Sequence, residues 1–208
     1  DIVSFIDDDV YCPPTWLESV VKGFREGVVG VSGPTVITDE YRANRDVFKW
    51  GWISWIYGKA FLGDGSNLPG YLSRAGTPSL ASSNGMLTYD GECDYLEASN
   101  MAVRRSEAIA GGGFDPAYIK TSEWCEVDIA LCLKRVGGKL WYSQEAGLLH
   151  RPSTCGIYKA RLSTRHRWDN FIYFQKKWEG SFIKPCLRTY LYRLFVWIYL
   201  KMKGIGMI

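Results

Sequence analysis

The sequence predicts an α/β protein, and three observations carry that prediction. The apolar run Ile2–Ile6 has the length and composition of a buried strand. Apolar residues between positions 16 and 24 recur with the spacing of one helix face. Two β-branched runs follow, at 28–31 and 35–37, and the order strand, helix, strand is typical of an α/β sheet.

Length and composition agree with a folded domain. The chain has 208 residues, of which 47% are hydrophobic and 15% aromatic. That is enough for one sizeable core, and it excludes a disordered chain. No run of eighteen apolar residues occurs, so we predict no complete transmembrane helix.

The first half of the chain contains one further helix and a long loop. The first helix begins after Pro13-Pro14, because proline suits the first helical turn, and it closes at Gly27. Within residues 38–92 we predict a short helix over 47–57, followed by an irregular segment rich in aromatic residues. Long ordered loops in compact domains are usually lids or binding loops.

The second half alternates between short strands and helices. Thr121 and Ser122 are candidate caps for a helix that runs through Glu126 to Gly137. The remaining predicted elements are an ordered segment at 95–105, a short helix from Ser106 to Gly111, strands at Leu140–Ser143 and Gly147–His150, and helix beyond Pro152.

The formal net charge of +3 hides an asymmetry along the chain. Residues 1–150 carry 13 Lys and Arg against 20 Asp and Glu, whereas residues 151–208 carry 12 against 2. A basic, aromatic tail suits phosphates, nucleic acid or an anionic membrane surface. Solvated cations on helix faces explain the same charges, and we predict no nucleic-acid partner.

Six cysteines are scattered along the chain without a C-x-x-C pair. This spacing argues against zinc knuckles and thioredoxin-like sites. We expect reduced thiols, which are typical of the cytoplasm.

Three adjacent carboxylates, Asp7, Asp8 and Asp9, end the first predicted strand. They repel one another unless a cation lies among them, and carboxylate oxygens suit Mg²⁺ or Mn²⁺. His150, at the end of another predicted strand, is a chemically sensible third ligand beside Asp7 and Asp9. The alternatives are a solvated loop for the aspartates and a structural, hydrogen-bonded histidine. Neither a D-D-x-x-D nor a D-x-D-x-T motif fits, because Tyr11 occupies the position that each requires to be Asp or Thr.

Two further carboxylates, Glu126 and Asp128, begin the helix that follows Trp124. Residues i and i+2 point about 200° apart on a helix, so these two cannot face one site. One of them can serve a site while the other is structural. Carboxylates in a first turn also suit the helix dipole without any further function.

Several segments together resemble the family 2 glycosyltransferases. Asp7-Asp8-Asp9, followed by Pro13-Pro14 and Trp16-Leu17-Glu18, is similar to a block that the family carries. The other matching segments are Ala98–Arg105, Gly112–Asp115, Trp124–Leu131, and Glu145-Ala146 with His150-Arg151-Pro152. These five segments follow one another in order and cover roughly residues 2–152.

The resemblance implies a partial GT-A fold with a mixed sheet, flanking helices and a C-terminal helical tail. It implies a nucleotide-sugar donor, a divalent metal (Mg²⁺ or Mn²⁺) and an inverting mechanism. Asp7 and Asp9 would hold the ribose and the metal, Glu126 would be the base, and Asp128 the alternative base. The other substrate-binding candidates are Asp8, Arg104, Trp124 and Arg151, with Arg165 and Arg167 as further phosphate candidates.

The resemblance also carries expectations about organisation and location. Residues 1–152 would be the C-terminal part of a catalytic domain that begins upstream of Asp1, and 153–208 a basic tail. The implied product is a bacterial surface glycan, made on a glycan or lipid-linked acceptor in the cytoplasm or at the inner face of the plasma membrane. The alternatives are an inactive fragment or binding module of such an enzyme, and a metal-dependent phosphohydrolase.

Two departures from the family pattern stand out. Cys132 occupies a position usually filled by Arg, and the tail lacks the Gln of Q-x-x-R-W, which disfavours a polymerising enzyme.

The apolar stretch Thr189–Leu200 is too short to span a bilayer. We expect it either to lie at a membrane interface or to pack on the sheet.

Overall fold

The computed structural model describes residues 1–37, 51–81, 88–152 and 164–204. The strands in these ranges are β1 (Ile2–Ile6), β2 (Val10–Tyr11), β3 (Val28–Ser32), β4 (Thr35–Ile37), β5 (Gly91–Cys93), β6 (Asn100–Arg104), β7 (Lys139–Tyr142) and β8 (Leu148–His150). The helices are α1 (Trp16–Gly23), α2 (Gly51–Ile56), α3 (Arg105–Ala110), α4 (Cys125–Arg135), α5 (Thr164–Trp178) and α6 (Leu187–Gly204).

The strands form two mixed sheets. The larger has the order β1-β6-β3-β7-β5, in which β3 and β7 are parallel and the other neighbours are antiparallel. The smaller has the order β2-β8-β4, in which β8 is antiparallel to β2 and parallel to β4. The predicted α/β class is therefore confirmed at the level of mixed sheets with flanking helices.

The main core lies between α4 and the larger sheet. Ile129 and Leu133 of α4 are buried in one cluster with Val29 of β3 and Leu140 of β7. Each such side chain contributes about 1.5–3 kcal/mol by leaving water. Gly30 of β3 is closely packed here, because a Cβ at this position would lie 2.7 Å from a Leu96 methyl group and 2.8 Å from a Leu140 methyl group. The apolar pattern of these segments thus determines how α4 covers the sheet.

Helix α5 shares this core, and helix α6 packs on α5 in a second cluster of buried residues. Phe174 and Trp178 of α5 belong to the main cluster, and Phe171 packs edge-on against Tyr192 of α6 with ring centroids 5.5 Å apart. The core is therefore continuous across the boundary predicted at 152/153, and residues 153–163 around it lie outside the described ranges. Within the described ranges, no helix is both long and apolar enough to cross a membrane.

Several local predictions need correction. The strand Ile2–Ile6, predicted to be buried, has exposed or half-buried side chains because β1 is an edge strand of the larger sheet. The first helix, predicted to close at Gly27, ends at Gly23.

The helix predicted to be capped by Thr121 or Ser122 begins at Cys125 without a side-chain cap, because the Thr121 hydroxyl instead contacts Glu123 and His166. The irregular segment predicted after residue 57 begins with a π-helix over Tyr57–Leu62 and a 3₁₀-helix over Gly63–Asn67. The predicted helix over 47–57 is observed from Gly51, and its first residues lie outside the described ranges. The cysteines described, all but Cys155, are free thiols.

Candidate metal centre and catalytic cavity

Asp7, Asp9 and His150 converge on one point at the end of β1. The chain turns after Ile6 and enters β2, and Val10 of β2 pairs with His150 of β8. The Nε2 atom of His150 lies 3.0 Å from an Asp9 oxygen and 3.6 Å from an Asp7 oxygen. One ligand atom from each residue fits within a 4.8 Å cluster. The pairing of β2 with β8 thus brings His150 to two aspartates that lie more than 140 positions earlier in the chain.

The donor set of this cluster can be tested against the predicted metals. Two carboxylates and one imidazole suit a divalent ion that accepts both oxygen and nitrogen ligands, such as Mn²⁺. Mg²⁺ prefers oxygen ligands and several waters, so it fits the set less well. The side chains of Asp7 and Asp9 are 48% and 26% exposed, which leaves room for substrate oxygens. The neighbouring Asp8 is exposed and lies outside the cluster.

A buried asparagine, Asn100, holds the smaller sheet against the larger one. Its side chain accepts a hydrogen bond from Trp16 Nε1 at 3.0 Å and donates to the Ala146 carbonyl at 2.8 Å and the Pro34 carbonyl at 3.4 Å. It is 1% exposed. Sequence reasoning placed Asn100 in a matching segment but assigned it no role. The signal that could have found it is a polar residue in a run of apolar ones, since a buried amide must be hydrogen-bonded.

A cavity of about 220 Å³ lies between the start of α4, helix α6 and the segment around Pro78. Its polar lining consists of Glu97, Glu123, Glu126 and Arg167, and its aromatic lining includes Trp124, Tyr57, Tyr95 and Tyr192. The predicted residues Glu126 and Trp124 therefore share one cavity. Glu97 was not predicted as a site residue, because it lies 29 positions before Glu126 and only the fold brings the two together. Glu123 stands three positions before Glu126 in the predicted segment, but it was given no role.

Burial, with smaller contributions from the nearby carboxylates Glu97 and Glu123, raises the pKa of Glu126 from 4.5 to about 7. Cys125 opposes this shift with a weak Sγ–H hydrogen bond at 3.7 Å. A carboxyl group with a pKa near 7 is about half ionised at neutral pH, which is the condition that general-base catalysis favours. Strong perturbation in a cavity marks Glu126 as a functional candidate.

The chain approaches Glu126 through a strained segment. Lys120, Ser122 and Trp124 all adopt positive φ, and that of Trp124 is 80°. A bulky residue in this conformation costs on the order of 1–3 kcal/mol and is retained where surrounding packing enforces it. Stacking of the Trp124 ring on Phe174, with ring centroids 5.1 Å apart, holds Trp124 in this conformation. The conformation of this strained segment therefore directs the first turn of α4 toward the cavity.

Asp128 lies on the opposite side of α4 and is 1% exposed. One oxygen accepts from Trp178 Nε1 at 2.7 Å and the other from Lys177 Nζ at 2.8 Å. Lys177 also donates to Asp115 at 2.7 Å and is the main cause that lowers the Asp115 pKa to about 2. The predicted divergence of Glu126 and Asp128 is thus observed. Asp128 joins α4 to α5, so we retain Glu126 as the candidate base.

The predicted arginines are divided between the site and the rest of the molecule. Arg104 pairs with Ile2, at the far end of the β1–β6 pair from Asp7, and its Nε donates to the Val28 carbonyl at 3.0 Å. The structure therefore does not bring Arg104 to the site. Arg151 adjoins the metal cluster, where its backbone N–H donates to the Asp9 carbonyl at 2.9 Å. Arg167 lines the cavity with its Nε 3.1 Å from Glu123, whereas Arg165 is exposed.

The metal cluster and the cavity lie at the same edge of the larger sheet. Because β1 and β6 are antiparallel, Ile6 at the end of β1 pairs with Asn100 at the start of β6. Asp7 therefore follows this pair on one strand, and Glu97 precedes it on the other. The Ser32 hydroxyl fixes the Glu97 segment by accepting a hydrogen bond from the Glu97 N–H at 3.2 Å and donating one to the Asn100 carbonyl at 2.7 Å.

A comparison of the whole chain with protein-family models and with curated proteins finds no match.

Proposed function

We propose that this protein transfers a sugar from a nucleotide-sugar donor to an acceptor hydroxyl, with inversion at the anomeric carbon. The observation that carries the proposal is the placement of two kinds of group at one sheet edge. One is the Asp7, Asp9 and His150 cluster, whose ligand atoms suit a divalent cation. The other is Glu126, whose pKa burial raises to about 7. The resemblance of the motifs to family 2 glycosyltransferases supports the same assignment, with a GT-A fold.

The proposed reaction uses Glu126 as a general base. Its carboxylate takes the proton of the acceptor hydroxyl while that oxygen forms a bond to the anomeric carbon. The bond between the anomeric carbon and the diphosphate oxygen breaks, and the nucleoside diphosphate leaves with the electron pair. Asp7, Asp9 and His150 would hold a divalent cation that offsets the charge on this leaving group. Glu126 then releases its proton to solvent.

The cavity beside Glu126 is proposed as the place where the acceptor binds. Its aromatic walls offer apolar surface, and its few polar groups can orient a hydroxyl-rich ligand. Arg167 neutralises part of the charge of Glu123 at 3.1 Å, so the cavity is not simply repulsive to an oxygen-rich ligand. A glycan or a lipid-linked sugar is the acceptor class proposed for this site.

The metal part of the proposal is tested by calorimetric titration of the chain with Mn²⁺. Asp9→Asn and His150→Gln should each weaken Mn²⁺ binding about 10–100-fold, because each removes or alters a ligand. Asp8→Asn is the matched control: it changes the same charge beside the cluster but removes no ligand. Equal weakening by Asp8→Asn would point to a general charge effect and overturn the assignment of a metal centre.

The catalytic part is tested by transfer assays with UDP-, GDP- and dTDP-sugars in Mn²⁺. Glu126→Gln should lower turnover by about 10²–10⁴-fold while donor affinity stays unchanged. Wild-type turnover should fall about tenfold per pH unit below about 7, where Glu126 becomes protonated. Normal turnover in Glu126→Gln would refute the mechanism. Absence of donor binding would instead favour an inactive fragment or binding module, and phosphate release without acceptor would favour a phosphohydrolase.

A further inference from the structure

Helix α6 presents a continuous apolar face to solvent. Leu187, Leu191, Leu194 and Ile198 recur at i, i+4, i+7 and i+11, and Tyr190 and Trp197 border them. These six side chains are 43–73% exposed. At about 100° per residue they cover an arc of about 120°, which we call the outer face of α6. Apolar patches of this kind on a protein surface mark interaction sites.

The opposite side of α6 packs against the rest of the protein. Thr189, Tyr192 and Leu200 are buried, and Tyr192 packs against Phe61 with ring centroids 5.2 Å apart. The arc of these residues lies about 180° from the centre of the outer face. The outer face is therefore not needed to attach the helix to the protein.

The charges of helix α6 and of the segment that leads into it have one sign. Residues 180–204 contain five Lys and Arg and no Asp or Glu. Lys184, Arg188 and Lys201 are exposed, and Lys201 Nζ lies 5.8 Å from the centroid of the Trp197 ring. Leu, Trp and Tyr on one face of a helix, together with cations and no acids, is the composition of helices that lie in a membrane interface.

We propose that the outer face of α6 binds the surface of an anionic lipid bilayer, with the helix axis parallel to the membrane plane. The apolar side chains would enter the acyl boundary, and the exposed cations would contact lipid phosphates. A second copy of the chain is a poorer occupant, because pairing two outer faces would bring two acid-free, cationic surfaces together. The proposal is independent of whether the cavity catalyses glycosyl transfer.

The proposal is tested by co-sedimentation of the chain with phosphatidylcholine vesicles that contain either no or 30% phosphatidylglycerol. We expect binding to the anionic vesicles, weaker binding to the neutral ones, and a loss of binding as NaCl is raised, since salt screens exposed charges. Lys201→Gln should lower the partition coefficient about fivefold. Leu194→Glu should lower the partition coefficient more than tenfold, because it places a charge at the centre of the outer face, which would be buried in the membrane.

Leu17→Glu is the matched control, since Leu17 is 59% exposed on α1, away from α6. It should leave vesicle binding unchanged, and circular dichroism should show that all three variants remain folded. Equal binding of wild type to neutral and anionic vesicles would overturn the charge argument. Absence of vesicle binding, together with a wild-type dimer that Leu194→Glu converts to monomer in light scattering, would assign the outer face to self-association instead.

Discussion

Replacing Glu126 by Gln should stabilise the protein at high pH. The folded-state pKa of Glu126 is about 7, mainly because burial disfavours its charged form, against an ordinary value of 4.5. A raised carboxyl pKa means that the folded state binds the proton more tightly than the unfolded chain does. Stability is therefore lost as pH rises from 4.5 to about 7, and the loss stays constant above that range.

The size of this loss follows from the two pKa values. At 1.36 kcal/mol per pH unit, the difference between 4.5 and about 7 corresponds to about 3 kcal/mol at pH 8. At pH 5 the loss of stability caused by ionisation of Glu126 is only about 1 kcal/mol. Glutamine has nearly the same shape but does not ionise. The stability of Glu126→Gln relative to wild type should therefore be greater at pH 8 than at pH 5, by about 2 kcal/mol.

Urea unfolding of both proteins at pH 5 and pH 8 measures this difference of differences. Effects of the amide that do not depend on pH cancel between the two conditions, as do other titrating groups that the substitution does not touch. Glu26→Gln, which changes an exposed carboxylate, serves as the control and should change by less than about 0.5 kcal/mol. A difference for Glu126→Gln close to zero, or of opposite sign, would mean that Glu126 does not have a raised pKa.

Two further predictions concern the residues that hold the site in place. Asn100→Ala should lower the free energy of unfolding by about 2–3 kcal/mol in urea titrations, because it leaves Trp16 Nε1 and the Ala146 carbonyl buried without a partner; a cost below about 0.5 kcal/mol would contradict its bracing role. Asp128→Asn should destabilise by a similar 2–3 kcal/mol at pH 7, because Lys177 loses one of its two ion pairs. Unchanged thermal stability of that variant would show that the buried pair does not join α4 to α5.

Local patterns in the sequence predicted the elements that depend on near neighbours. The strand Ile2–Ile6 and the helix that starts near Trp16 are observed where the apolar run and the helical periodicity place them, although the strand is not buried as predicted. The caps were less predictable. Thr121 carries a capping side chain, but its hydroxyl contacts Glu123 and His166, and His166 lies 45 positions away. A distant partner therefore overrode a local preference.

The candidate site also combines features that follow from local sequence with features that depend on long-range contacts. Sequence alone determined which residues offer metal ligands and which pair of carboxylates must diverge, because ligand chemistry and the helical repeat are local properties. Tertiary structure decided which ones meet: pairing of β2 with β8 brings His150 to Asp9, and the strand register removes Arg104 from the site. Glu97 joins Glu123 and Glu126 only because chain segments far apart in sequence enclose one cavity. The pKa of Glu126 depends on burial, and burial is created by the packing of the whole chain.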